Sequence, residues 1–179
     1  NPREDGTVGS FSIDSVAEEQ SRPLRFKALN TALMQAEQEE EAFTAEKIEY
    51  QDENFEAINR VLAAERDEEN VARRDTEVQE AWTDWRERTI EHAKMVSGAR
   101  TTLNDEQNQA SLSVFDPNEP VTLIEYDGEL LTKEVSITAE LTLNDTESER
   151  PMVITLQKAM LTGGDGTMID GNWVIARIN

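Results

Sequence analysis

From Leu24 to Ser97 the chain runs for 74 residues without a glycine or a proline. A stretch this long, rich in Ala, Glu, Gln and Arg, has no local device for a tight turn and is read as helical, with Gly98 as its left-handed stop. Its apolar residues divide it. Ile48, Phe55 and Leu62 recur every seven positions with Ile58 between them. Val71, Val78 and Trp85 do the same, with Trp82, Met95 and Ala99 near their stripe. Between Leu62 and Val71 the step is nine, and Glu65–Asn70 offers only charged and amide side chains, so a continuous seam breaks there. The polar run Glu37–Glu41 separates Leu29, Leu33 and Met34 from Phe43 and Ile48 in the same way. Two or three helices, coiled-coil-like, are expected rather than one rod.

Residues 1–23 carry Pro2, Gly6, Gly9, Ser10, Ser12, Ser15 and Pro23 and read as an irregular arm or linker. Within it, Ser15-Val16-Ala17-Glu18 fits a capping box opening a short helix. After Gly98 the period changes to two. Val135, Ile137, Ala139, Leu141 and Leu143 alternate with Glu134, Ser136, Thr138, Glu140 and Thr142, the signature of a strand with one wet face. Val121–Tyr126 reads as a strand closed by an Asp127-Gly128 type I′ turn. Met152–Leu161 and Trp173–Ile178 complete the set, around the polar turn 144–150 and the glycine turn 163–166. The class is therefore α+β: helices over 24–98, then a four-stranded antiparallel sheet over 99–179, packed as one unit.

Composition narrows the function. The chain has 38 Asp and Glu against 17 Lys and Arg, a formal net charge of −21. A nucleic-acid binder needs clustered cations, so none is expected as partner. No cysteine is present, which excludes disulfides, thiolate metal sites and cysteine nucleophiles. Arg outnumbers Lys 12 to 5, which suits a salt-rich milieu as well as a high-GC genome. No apolar run reaches about 18 residues, so the residues shown do not insert in a membrane. The chain opens on Asn1, so an upstream segment is expected to have been removed; a cell-envelope setting follows if that segment was a signal or anchor.

Each candidate site has a plainer reading beside it. His92 would be a general base only with a carboxylate from elsewhere; Arg88, Thr89, Met95 and Val96 at helical spacing supply no metal co-ligand. A di-iron carboxylate bundle needs two Glu-x-x-His motifs, and this chain has one histidine. Glu39-Glu40-Glu41 and Asp67-Glu68-Glu69 read as solvated faces that attract a basic partner. The loop 163–171 fits neither a repeat-type nor an EF-hand calcium pattern. Arg73, Arg74, Arg86 and Arg88 are expected to pair with acids at i±3 and i±4, and Asn144-Asp145-Thr146 is a glycosylation sequon. Trp82 and Trp85 are expected to plug a helix against the sheet. No nucleophile elbow, phosphate loop or dinucleotide fingerprint occurs, which lowers the expectation of an enzyme, although paired carboxylates leave no sequence signature. No cofactor and no metal is expected.

The ending Asp170-Gly171-Asn172-Trp173-Val174-Ile175, behind paired long strands, resembles the nuclear-transport-factor-2-like cone fold over less than half the chain. The helical part here is longer and more acidic than that pattern. The resemblance implies a pocket for a small apolar ligand, bound or transformed, which Trp82, Trp85, Tyr126 and Trp173 would line. The residues themselves point first to a structural or interaction subunit. It would associate with itself or a protein partner through the stripe Ile48, Phe55, Leu62, Val71 and Val78.

Overall fold

A computed structural model describes residues 6–143 and 146–179. Among the described residues the fold is α+β, with three helices and an antiparallel sheet of six strands. They form two compact units, one of residues 28–103 and one of the residues before and after it.

The helical elements are α1 (Phe26–Glu53), α2 (Phe55–Arg66) and α3 (Thr76–Ser111). Along α1, the positions Leu29, Leu33, Ala36, Glu40, Phe43, Lys47 and Tyr50 are all shielded, spaced by four and three. The same spacing runs along α3 through Val78, Trp82, Trp85, Thr89, His92, Val96, Ala99 and Leu103. This is the spacing of a coiled-coil seam. Its sense is antiparallel: Glu37 meets Arg100, Phe43 meets His92, and Tyr50 meets Trp85. The expected break at 65–70 is present, since α2 ends at Arg66 and a 3-10 turn (Arg73–Asp75) leads into α3. Asp75 is buried there, and Arg60 grips it with two hydrogen bonds of 2.8 and 2.9 Å.

Two expectations are corrected in this unit, and one unexpected break is present. The helix does not break at Glu37–Glu41, because only Glu40 of that run takes a seam position and the others face water. Gly98 does not stop α3: it lies off the seam, and the apolar pattern continues beyond it at Ala99 and Leu103. A break absent from the sequence reading occurs at Asn54, whose amide and side chain both donate to the Tyr50 carbonyl, at 3.1 and 3.0 Å. Fifteen residues of straight helix would carry Glu65 about 22 Å beyond Tyr50. Glu65 instead pairs with Arg86, next in chain to Tyr50's neighbour Trp85, so α2 leaves the line of α1 at Asn54.

The sheet is built on a hairpin of β3 (Tyr126–Leu143) and β4 (Thr146–Gly163), paired along their whole 18-residue lengths. β1 (Gly6–Val16) and β2 (Gln20–Leu24) pair with β3; β5 (Met168–Asp170) and β6 (Val174–Ile178) pair with β4. The arm expected over 1–23 is therefore two strands from Gly6 onward. Ser15 and Val16 end β1 rather than capping a helix. Val121–Tyr126 is not a strand, since Leu123–Glu125 is a 3-10 turn. Asp127-Gly128 is no hairpin turn. Gly128 sits mid-ladder against Leu24 and Leu161, where a β-carbon would strike the Met160 carbonyl. β4 begins already at Thr146, inside the expected polar turn; the sequon's Asn144 and Asp145 lie outside the described residues.

The core of this unit gathers Leu24, Phe26, Leu130, Leu161 and Ala159 with Ala110, Val114 and Leu123, all buried. Ser113 pins it. Its Oγ donates to the Asn172 carbonyl and accepts the Ala159 amide, each at 2.8 Å, and its carbonyl accepts the Asn172 amide at 2.7 Å. Gly171 is required beside it, because a β-carbon there would come within 2.6 Å of the Ala159 carbonyl.

Candidate functional site

The residues singled out from sequence fall into separate places. Trp82 and Trp85 lie in the helical unit, where they pack helix against helix rather than helix against sheet. The Trp85 ring sits 5.1 Å from Phe43 and 5.8 Å from Tyr50, and His92 stacks on Phe43 at 4.4 Å. Arg88 lies over both Phe43 and Trp85, and Lys47 over Trp82 at 5.4 Å. Lys47 also donates to Thr89 Oγ1 at 2.8 Å. Cations thus enter the seam with their charge held over ring faces. His92 serves there as an aromatic surface, and burial raises the Tyr50 phenol above its ordinary pKa. The indole N–H of Trp82 is buried without a hydrogen-bond partner.

Tyr126 and Trp173 belong to the sheet unit. Tyr126 helps line a cleft of about 360 Å³ with Glu119, Pro120, Thr122, Glu125 and Met168. Trp173 is not among its lining residues; its ring carries Lys133 at 5.0 Å. Of the stripe residues, Val71 and Val78 are half-buried, whereas Ile48, Phe55 and Leu62 expose 53%, 57% and 39% of their surface. The apolar repeat Ile48-Phe55-Leu62 therefore lies outside the intramolecular seam. Exposed Glu41, Glu49, Asp52 and Glu56 border it.

Among the described residues no group of His, Asp and Glu is arranged to hold a metal ion, and no helix is long and apolar enough to cross a membrane. The acidic groups with displaced pKa values have structural partners. Asp75 is held below the usual carboxylate range by its hydrogen bonds from Arg60, and Asp165 by the Thr167 amide it accepts inside the 163–167 turn. Asp170 pairs with Lys158 at 2.6 Å. Among the basic concentration, Arg88 pairs with Asp84 four residues away, but Arg86 reaches across to Glu65. No protein-family model, no curated protein and no solved structure matches this chain.

A second exposed apolar surface went unread in the sequence. Phe11, Ile13 and Val16 of β1 are 68%, 62% and 58% exposed. Their spacing of two and then three does not alternate. A bulge at Asp14, between the Ile13–Ile137 and Ser15–Ser136 pairs, brings Val16 back to the face of Ile13. The signal was the β-branched and aromatic content of the arm, masked by its glycines and serines.

Proposed function

We propose that this protein is a non-enzymatic subunit of an assembly, and that it docks a basic amphipathic helix of a protein partner on Phe55 and Leu62 of α2, with Ile48 of α1 across the Asn54 break as a further contact. The observation that carries this reading is that three large apolar side chains, Ile48 on α1 and Phe55 and Leu62 on α2 beyond the Asn54 break, are left in water by the chain's own helix pairing. Exposed apolar side chains cost solubility, and large ones grouped along one helix, as Phe55 and Leu62 are on α2, mark binding surfaces. The flanking carboxylates argue for the sign of the partner: a helix with Lys or Arg beside its apolar stripe gains at each flank, whereas a second acidic copy is repelled.

The test uses a synthetic helix-forming peptide with a leucine stripe and lysine flanks, and the same peptide with glutamate flanks, titrated calorimetrically into the full chain. Binding of the lysine form alone is expected, weakened about tenfold or more by Phe55→Ala and reduced by salt. Equal binding of both peptides, or binding indifferent to Phe55→Ala, would refute it.

A further inference from the structure

The register of the hairpin defines a face that the helical reading does not use. Cross-strand partners in an antiparallel ladder point to the same side. One row holds Val16, Val135, Ile154 and Ile178; the next holds Ile13, Ile137 and Met152. Leu156 and Ile175 extend the face at one end beside Lys133, and Phe11 and Ala139 at the other beside Arg150. The opposite side is polar: Thr138 bonds Asp14, and Ser10 bonds Glu140.

The charge pattern is the informative part. About one residue in five of this chain is acidic, yet none of the positions in these rows is. The two charged groups on the face are cations, and Glu19 reaches it only as the ion-pair partner of Lys133, at 2.9 Å. Ile175 and Ile178, each 56% exposed, join the β1 side chains in the open. Together the five expose roughly 500 Å², at the upper end of what monomers show. With half-buried Val135, Met152, Ile154 and Leu156 the face approaches the roughly 800 Å² that a stable interface takes from each partner.

We infer that this sheet face is the self-association surface of the protein, two copies stacking it face to face about a two-fold axis. A two-fold contact sets a patch against itself, which a chain of charge −21 tolerates only where the patch carries no carboxylates. The area and the absence of acids both meet that condition here. Stacked sheets lie about 10 Å apart with interdigitated side chains, so this face becomes the core of a two-sheet sandwich. Behind it, the stretch that carries Ser10, Asp14, Thr138 and Glu140 stays in water.

Sedimentation equilibrium of the full chain tests it, at about 50 mM and about 1 M salt. A dimer that tightens with salt is expected, because screening relieves the repulsion between copies while the apolar contact persists. Ile13→Lys with Ile178→Lys should weaken it about 100-fold or more, since both charges would be desolvated. Phe55→Lys, on the helical unit, should leave it intact. A monomer at about 100 μM in both salts overturns the inference, as does a folded lysine variant that still dimerises, or a dimer abolished by Phe55→Lys instead. If the lysine variant loses its circular-dichroism signal, Ile13→Thr with Ile178→Thr decides, because threonine keeps the β-branched shape: a dimer weakened about tenfold supports the contact, and an unweakened dimer overturns it. Peptide docking on Phe55 is read separately, so either result stands without the other.

Discussion

Phe43 and Phe55 offer a direct test of which apolar repeat closes the helical unit. Both are phenylalanines twelve positions apart in the same acidic stretch, and the sequence alone favours Phe55, which belongs to the cleaner seven-residue repeat. In the structure Phe43 is 5% exposed, with Trp85, His92 and Arg88 against its ring, while Phe55 is 57% exposed. A buried Phe→Ala exchange removes the transfer energy of the ring and leaves a cavity, about 3–5 kcal/mol; the lost ring contacts belong within that figure. For Phe55 less than half the ring is shielded. Its loss is about 1–1.5 kcal/mol at 25 cal/mol per Å², offset by about 0.5 kcal/mol for the better helix propensity of alanine. Phe43→Ala should therefore cost about 4 kcal/mol and Phe55→Ala about 1 kcal/mol or less. Urea unfolding followed by far-UV circular dichroism measures both. Equal losses, or a larger loss for Phe55→Ala, would refute the assignment of the seam.

Two further outcomes follow from buried polar groups. Ser113→Ala strands the buried Ala159 amide and the Asn172 carbonyl, so it should destabilise the protein by about 1–3 kcal/mol, read by thermal melting, with no comparable loss from Ser111→Ala on the preceding turn. Asp75, with its pKa held down in the folded chain by Arg60, contributes stability that is present above the ordinary carboxylate range and lost as pH falls through its lowered value. Asp75→Asn should thus lower the melting temperature at neutral pH and flatten its fall in acid; an unchanged acid limb would sink that account.

What the sequence made legible depended on regularity. The breaker-free run announced helices, and the polar gap after Leu62 announced the turn after Arg66, because both are statements about consecutive residues. The alternation at 135–139 announced β3. The failures have a shared cause in long-range structure. Asp127-Gly128 is a turn dipeptide, but its glycine was needed for close approach of two strands, and only the partner strand reveals that. β1 is bulged, so its apolar residues fall out of period. Gly98 and Glu37–Glu41 look like breakers only if one ignores which face they occupy. The cluster of Phe43, Tyr50, Trp85 and His92 was half visible. Trp85 and His92 were noted, yet their partners Phe43 and Tyr50 sit 35 to 49 residues away in sequence, across the helix reversal, where no local pattern reaches.

The order of elements carries a cost in time. β1 and β2 come first in the chain, but their partner β3 comes only after all three helices; Ser10 and the Glu140 it bonds are 130 residues apart. During synthesis these strands stay unpaired, with Phe11 and Ile13 open, until β3 has been made. Over residues 28–103 the helices have no such wait, since there they contact one another, and Arg100 reaches Glu37 across 63 residues. Each such contact shortens the loop that the last strands must close, and closure entropy falls with loop length. The helical insert thus sets the folding order: its own pairing is the step that brings β3 within reach of strands made long before.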